Sequence, residues 1–144
     1  MDKVLLKFNI IPNNLQSPFA VKVYLDDECV YSTQQVNEAI YFSHEFVDLE
    51  GDRLLSIELS GKTSDHTKID EQGNRISDSM LEITQMSVDD IDINHLFLSK
   101  CVYTHDFNGT QPEIEDTFWG LAGCNGTINF KFSTPIYMWL LENM

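Results

Sequence analysis

From Phe19 to Leu25 the chain alternates strictly. Phe19, Val21, Val23 and Leu25 fall on one side, and Ala20, Lys22, Tyr24 and Asp26 on the other. A period of two predicts a strand with one buried face. The same period returns from Ala39 to Phe46, with Ile40, Phe42, His44 and Phe46 aligned. It recurs from Arg53 to Leu59 through Leu55, Ile57 and Leu59, and from Thr127 to Phe132 through Ile128, Phe130 and Phe132. Val4 to Ile10, Met80 to Val88, Ile91 to Leu98 and Lys100 to Phe107 are predicted as further strands. Asp26-Asp27 is predicted to turn tightly into a strand over Glu28 to Ser32, because Asp tolerates positive φ better than most residues. Gly51-Asp52 and Asp89-Asp90 divide other strands. Short strands at this spacing predict an all-β fold, a sandwich or a small barrel, and the expected form is an antiparallel β-sandwich, jelly-roll-like. No long stretch before residue 134 carries a helical period, which argues against a parallel α/β architecture.

Two long polar stretches interrupt the alternation. Ser60 to Ser79 is predicted to project as a hairpin around Gly73-Asn74. Phe107 to Gly126 is predicted as a long loop, and loops of that length are often functional. The character then changes at Ser133-Thr134-Pro135, a hydroxyl cap followed by proline, which predicts a helix start. Ile136 to Met144 is predicted as a short, apolar helix that must be covered on most sides. It either plugs one end of its own sandwich or docks on a neighbouring subunit, with Ile136, Trp139, Leu140 and Leu141 as the docking residues. No linker or repeat divides the chain, so residues 1–144 are expected to form one domain with an apolar arm over 134–144.

Composition narrows the function. The sequence holds 23 Asp plus Glu against nine Lys plus Arg, a formal charge of -14. Phosphate backbones and anionic membranes call for cations, so neither nucleic acid nor membrane is expected as a partner. Cys29, Cys101 and Cys124 form no C-x-x-C pair, and an odd, wide spacing predicts reduced thiols. The opening residues hold no long apolar run, so synthesis in a cytosol without an export signal is expected. Asn108-Gly109-Thr110 and Asn125-Gly126-Thr127 then read as turns rather than glycosylation sites.

The densest acidic run is Ser87 to Asn94. In an extended chain Asp90 and Asp92 point to one side, which makes them the candidate calcium ligands. The plain alternative is a polar strand edge that discourages pairing with other chains. His44, His66, His95 and His105 show no zinc spacing. Neither a G-x-S-x-G elbow nor a phosphate-binding loop is present. No cofactor is expected beyond calcium. Phe118-Trp119, set between acids and glycines, is the candidate ligand platform, since an exposed indole stacks well on a sugar ring. The alternative is burial against the sheet.

The run Phe19 to Glu28, followed by Leu54 to Leu59 and then Ile83 to Ile93, resembles the strand and hairpin order of small carbohydrate-binding-module-like sandwiches. The acidic, all-β character and apolar arm are also similar to small structural proteins of tailed-phage particles. The resemblance covers the first two-thirds of the chain, in pattern. It implies a non-enzymatic structural or interaction protein, associated with a viral particle, that engages a protein partner or its own copies. The alternative it implies is a carbohydrate-binding module, calcium-assisted, that takes a glycan.

Overall fold

The computed structural model describes residues 3–13, 19–36, 38–47, 50–61, 68–69, 75–77, 80–105, 112–118, 120–122 and 125–143. The alternating segments become strands: β1 (Lys3–Pro12), β2 (Ala20–Leu25), β3 (Glu28–Thr33), β4 (Ile40–Val47) and β5 (Gly51–Ser60). After them come β6 (Lys68–Ile69), β7 (Arg75–Ser77), β8 (Leu81–Val88), β9 (Ile91–Asp92) and the helix α1 (Asn94–Lys100). The chain continues through β10 (Val102–His105), β11 (Ile114–Thr117), β12 (Leu121–Ala122), β13 (Gly126–Thr134) and α2 (Ile136–Asn143).

Two antiparallel sheets face each other. One runs β12-β8-β1-β4, with β9 paired to β8; the other runs β11-β10-β13-β5-β2-β3. The fold is therefore an antiparallel β-sandwich with a short C-terminal helix. Every second residue points inward, as the period required. Val4, Leu6, Phe8 and Ile10 from β1 meet Val21, Val23, Leu55, Ile57, Ile128 and Phe130 in one continuous buried core. Aromatic rings bind it further: Phe8 lies 4.5 Å from Phe42, and Phe97 stands edge-on to Phe130 at 5.4 Å. Each such pair adds about 0.5–1.5 kcal/mol beyond area burial.

Asp26-Asp27 does turn tightly, with φ of 52° and 68°, and Asp89-Asp90 repeats the turn at 50° and 64°. β6 and β7 pair antiparallel, so the projecting hairpin exists, although its tip at Gly73-Asn74 lies outside the described residues.

Two expectations are corrected. The strand expected over Ile91 to Leu98 stops at Asp92 and gives way to α1. Asp92 Oδ1 accepts the Asn94 backbone N–H at 2.9 Å, and Asn94 Oδ1 accepts the Met86 N–H at 3.2 Å. Such local side-chain bonds divert the backbone out of the sheet, and Leu96 and Phe97 then enter the core. The long loop after Phe107 contains β11 and β12, which add edge strands to opposite sheets. α2 begins at Ile136, directly after Ser133-Thr134-Pro135, as the helix-start signal predicted. Thr134 also ends β13, where it pairs with Gly51 and its hydroxyl donates to the Gly51 carbonyl. A helical bond runs from Trp139 N–H to Pro135 O.

α2 lies on its own sandwich. Ile136, Trp139 and Leu140 are buried, and the Trp139 ring stands edge-on to Phe130 and Phe132. Burying those three side chains stabilises the fold by about 1.5–3 kcal/mol each. Tyr137, Met138 and Leu141 occupy the outer face. Among the described residues no helix is long and apolar enough to cross a membrane.

Candidate functional site

The residues singled out from the sequence separate in the structure. Phe118 is fully buried, edge-on to Phe97 and Tyr103. It is a core residue and cannot stack on a ligand. Its partner in the motif, Trp119, lies outside the described residues. Ile136, Trp139 and Leu140 face inward, so three of the four expected docking residues are covered by their own chain; Leu141 remains 77% exposed. Asp90 and Asp92 do not act as a pair. Asp90 Oδ1 is bonded to Lys7 Nζ at 2.6 Å, while Asp92 serves the start of α1. Among the described residues no three His, Cys, Asp or Glu side chains form a group able to hold a metal ion.

The more promising surface is the outer face of the six-stranded sheet. β13 pairs with β5 along its whole length, and their outward positions alternate with the core positions. Register places Tyr24, Ser56 and Asn129 in one cross-strand row. The next row holds Lys22, Glu58, Thr127 and Thr104. Ser56 Oγ donates to Asn129 Oδ1 at 2.8 Å, which fixes that amide and leaves its N–H pair to donate elsewhere.

Three clefts cross this face. The first, about 570 Å³, is lined by Asp26, Asp27, Asp52, Arg53, Lys131 and Ser133, with Phe132 and the edge of Trp139 beside them. The second, about 280 Å³, is lined by Tyr24, Asp27, Ser56, Glu58 and Thr127. The third, about 460 Å³, is lined by Thr104, His105, Glu113, Asn125, Gly126, Thr127 and Asn129. Asp27 lines both of the first two and Thr127 both of the last two, so the clefts are neighbours along the sheet face. Together they form a groove that follows β13 from Ser133 to Gly126. At ~3.3 Å per residue its length is roughly 23 Å.

Each end of the groove has a structural cause. At one end Arg53 joins the two sheets: its guanidinium pairs with Asp26, donates to the Val47 carbonyl at 3.2 Å and lies 4.6 Å from the Phe46 ring centroid. At the other end Gly126 lets β13 approach β10, because a Cβ there would lie 2.3 Å from the Thr104 carbonyl oxygen. Asn125-Gly126-Thr127, read from sequence as a turn, is thus the start of a strand and part of the groove wall.

The second and third clefts are lined mainly by hydroxyls, amides and carboxylates, with the Tyr24 ring partly exposed among them, and the first adds Arg53, Lys131 and the apolar Leu54, Phe132 and Trp139. The polar groups both donate and accept hydrogen bonds at close intervals. A chain of sugar hydroxyls has the complementary property along its whole length. Outside the groove, Cys101 is buried and its thiol is pushed up to about 11 by burial, so it stays protonated at neutral pH and is a poor nucleophile. Sequence reasoning missed the groove because no single residue in it is unusual. The one available signal was the polar side of the alternating strands, including Tyr24, Glu58, Thr127 and Asn129.

No family model and no curated protein sequence matches the chain. Among solved structures, one described as vCBM60 in complex with galactobiose aligns with 88% of this chain and 96% of its own, at 12% sequence identity and a TM-score of 0.49.

Proposed function

We propose that this domain is a non-enzymatic binding module that holds an extended, hydroxyl-rich chain, a glycan, in the groove along β13. The observation that carries this reading is the row of three neighbouring clefts along one sheet face, sharing Asp27 and Thr127 and lined by polar and apolar groups together. A rigid sheet presents such groups at fixed spacing, which lowers the ordering cost of binding a long ligand. Tyr24 supplies an aromatic face, and Asn129, Thr127 and Ser56 supply the hydrogen bonds. Affinity electrophoresis on a panel of soluble polysaccharides tests the proposal. Tyr24→Ala and Asn129→Ala should each abolish or sharply reduce retardation while the far-UV circular dichroism spectrum stays that of the folded protein. If no polysaccharide slows the wild-type protein, the reading fails.

The particle-docking reading loses its main support, because the apolar arm is packed on its own sandwich. A narrower form of it keeps one observation. Tyr137, Met138 and Leu141 form an exposed outer face on α2, suited to a protein partner or a second copy. Sedimentation of wild type against Leu141→Asp tests it: a loss of mass in the variant supports self-association, and a monomer in both removes that form of the reading.

A further inference from the structure

The groove is polar, yet its charges are unequally distributed. Asp52 and Asp27 stand at the first cleft, Glu58 in the second and Glu113 in the third. None of these four carboxylates makes a hydrogen bond or ion pair with another described residue. Arg53 is already held by Asp26. Among the described residues that leaves Lys131 as the cation of the lining, with Lys22 beside Glu58 in register. Negative charge therefore recurs along the whole groove rather than at one point.

We infer that the groove sorts sugar chains by charge, taking chains with free amino groups in preference to neutral ones and turning away chains with carboxylates. The inference rests on the glycan reading above and adds the class of chain. Two effects act together. An acidic sugar brings its charge among like charges without a matching row of cations, and like-charge juxtaposition is costly. An amino sugar supplies a positive charge at each repeat, within reach of carboxylates spaced along the same line. Hydroxyl and amide contacts are common to all three kinds of chain, so charge decides between them.

The test must separate the groove from the general acidity of the protein, since a polycation is drawn to any surface of charge -14. Isothermal titration at low salt with oligomers of glucosamine, glucose and glucuronate, equal in linkage and length, gives the ranking. Two triple variants remove equal charge: Asp27→Asn, Glu58→Gln and Glu113→Gln in the groove, and Glu38→Gln, Glu82→Gln and Glu142→Gln outside it. The expected result is tighter binding of the glucosamine chain than of the glucose chain by roughly tenfold, with no detectable glucuronate binding. That advantage should vanish in the groove variant, persist in the outer variant and shrink as salt rises. Equal binding of glucosamine and glucose chains, or an equal loss in both variants, overturns the charge inference and leaves the groove reading standing. Failure of all three chains to bind overturns both.

Discussion

Two hairpins in this molecule are built by the same device and put to different uses. In each, an Asp-Asp dipeptide turns with both residues at positive φ: Asp26-Asp27 between β2 and β3, and Asp89-Asp90 between β8 and β9. The first Asp extends the sheet past its last regular pair. Asp26 N–H donates to Leu54 O while Asp26 Oδ1 accepts the Leu54 N–H; Asp89 N–H donates to Leu5 O while Asp89 Oδ1 accepts the Leu5 N–H. A carboxylate thus stands in for the main-chain carbonyl that the turn has swung away. The difference lies in what surrounds the turns. Around Asp89-Asp90 both side chains are taken: Tyr137 Oη donates to Asp89 Oδ2 at 3.1 Å, and Lys7 holds Asp90. Around Asp26-Asp27, Arg53 pairs with the first Asp only, and Asp27 is left to line the groove. One dipeptide therefore gives one backbone, and neighbours decide whether the second carboxylate is structure or surface for a ligand.

The largest effect should come from removing α2, which is tied to the second turn through Tyr137. Truncation after Thr134 deletes Ile136, Trp139 and Leu140 and uncovers Phe130 and Phe132. A loss of about 5 kcal/mol or more is expected, seen as a steep fall in melting temperature or as aggregation. A truncated protein that melts normally would mean α2 contributes nothing to the core.

Next come the two leading carboxylates. Asp26→Ala leaves the Leu54 N–H without its acceptor and strips a partly buried guanidinium of its carboxylate partner. Asp89→Ala leaves the Leu5 N–H and the Tyr137 hydroxyl without theirs. Losses of about 3 and about 2 kcal/mol are expected, in that order. Urea denaturation measures both. The reverse order would show that the Arg53 pair contributes less than the tie to α2. Tyr137→Phe removes only the hydroxyl from that tie and should cost about 0.5–1 kcal/mol by the same assay.

The turns were legible from sequence and their uses were not. Phe19 to Leu25 announced its buried face through alternation, and Asp26-Asp27 announced its conformation because few side chains accept positive φ. Both signals are local. The neighbours that separate the two turns are remote: Lys7 lies 83 positions from Asp90, and Tyr137 lies 48 from Asp89. Phe118 shows the same limit. A Phe-Trp pair among acids suits a loop or a core equally well, and only the approach of Phe97 and Tyr103 decides for the core. α1 escaped notice because its seven residues are too few to display a helical period, and Asp92 and Asn94 act through local bonds that a hydrophobic pattern does not record.

The smallest stability effects, and the sharpest separation, belong to the second residue of each turn. Asn accepts positive φ as Asp does, so Asp27→Asn and Asp90→Asn change charge and leave the backbone at ease. Asp90→Asn weakens an exposed ion pair with Lys7, worth about 0.2–1 kcal/mol, and should leave ligand binding untouched. Asp27→Asn breaks no bond among the described residues and should leave the melting temperature unchanged, yet lower the preference of the groove for amine-bearing chains. Calcium provides the control. With Asp90 held by Lys7 and Asp92 by the start of α1, millimolar calcium should not raise the melting temperature, whereas an ion bound to the native state alone would raise it by mass action. A calcium-dependent rise that disappears in Asp90→Asn would place the ligand at the second turn and exchange the uses assigned to the two hairpins.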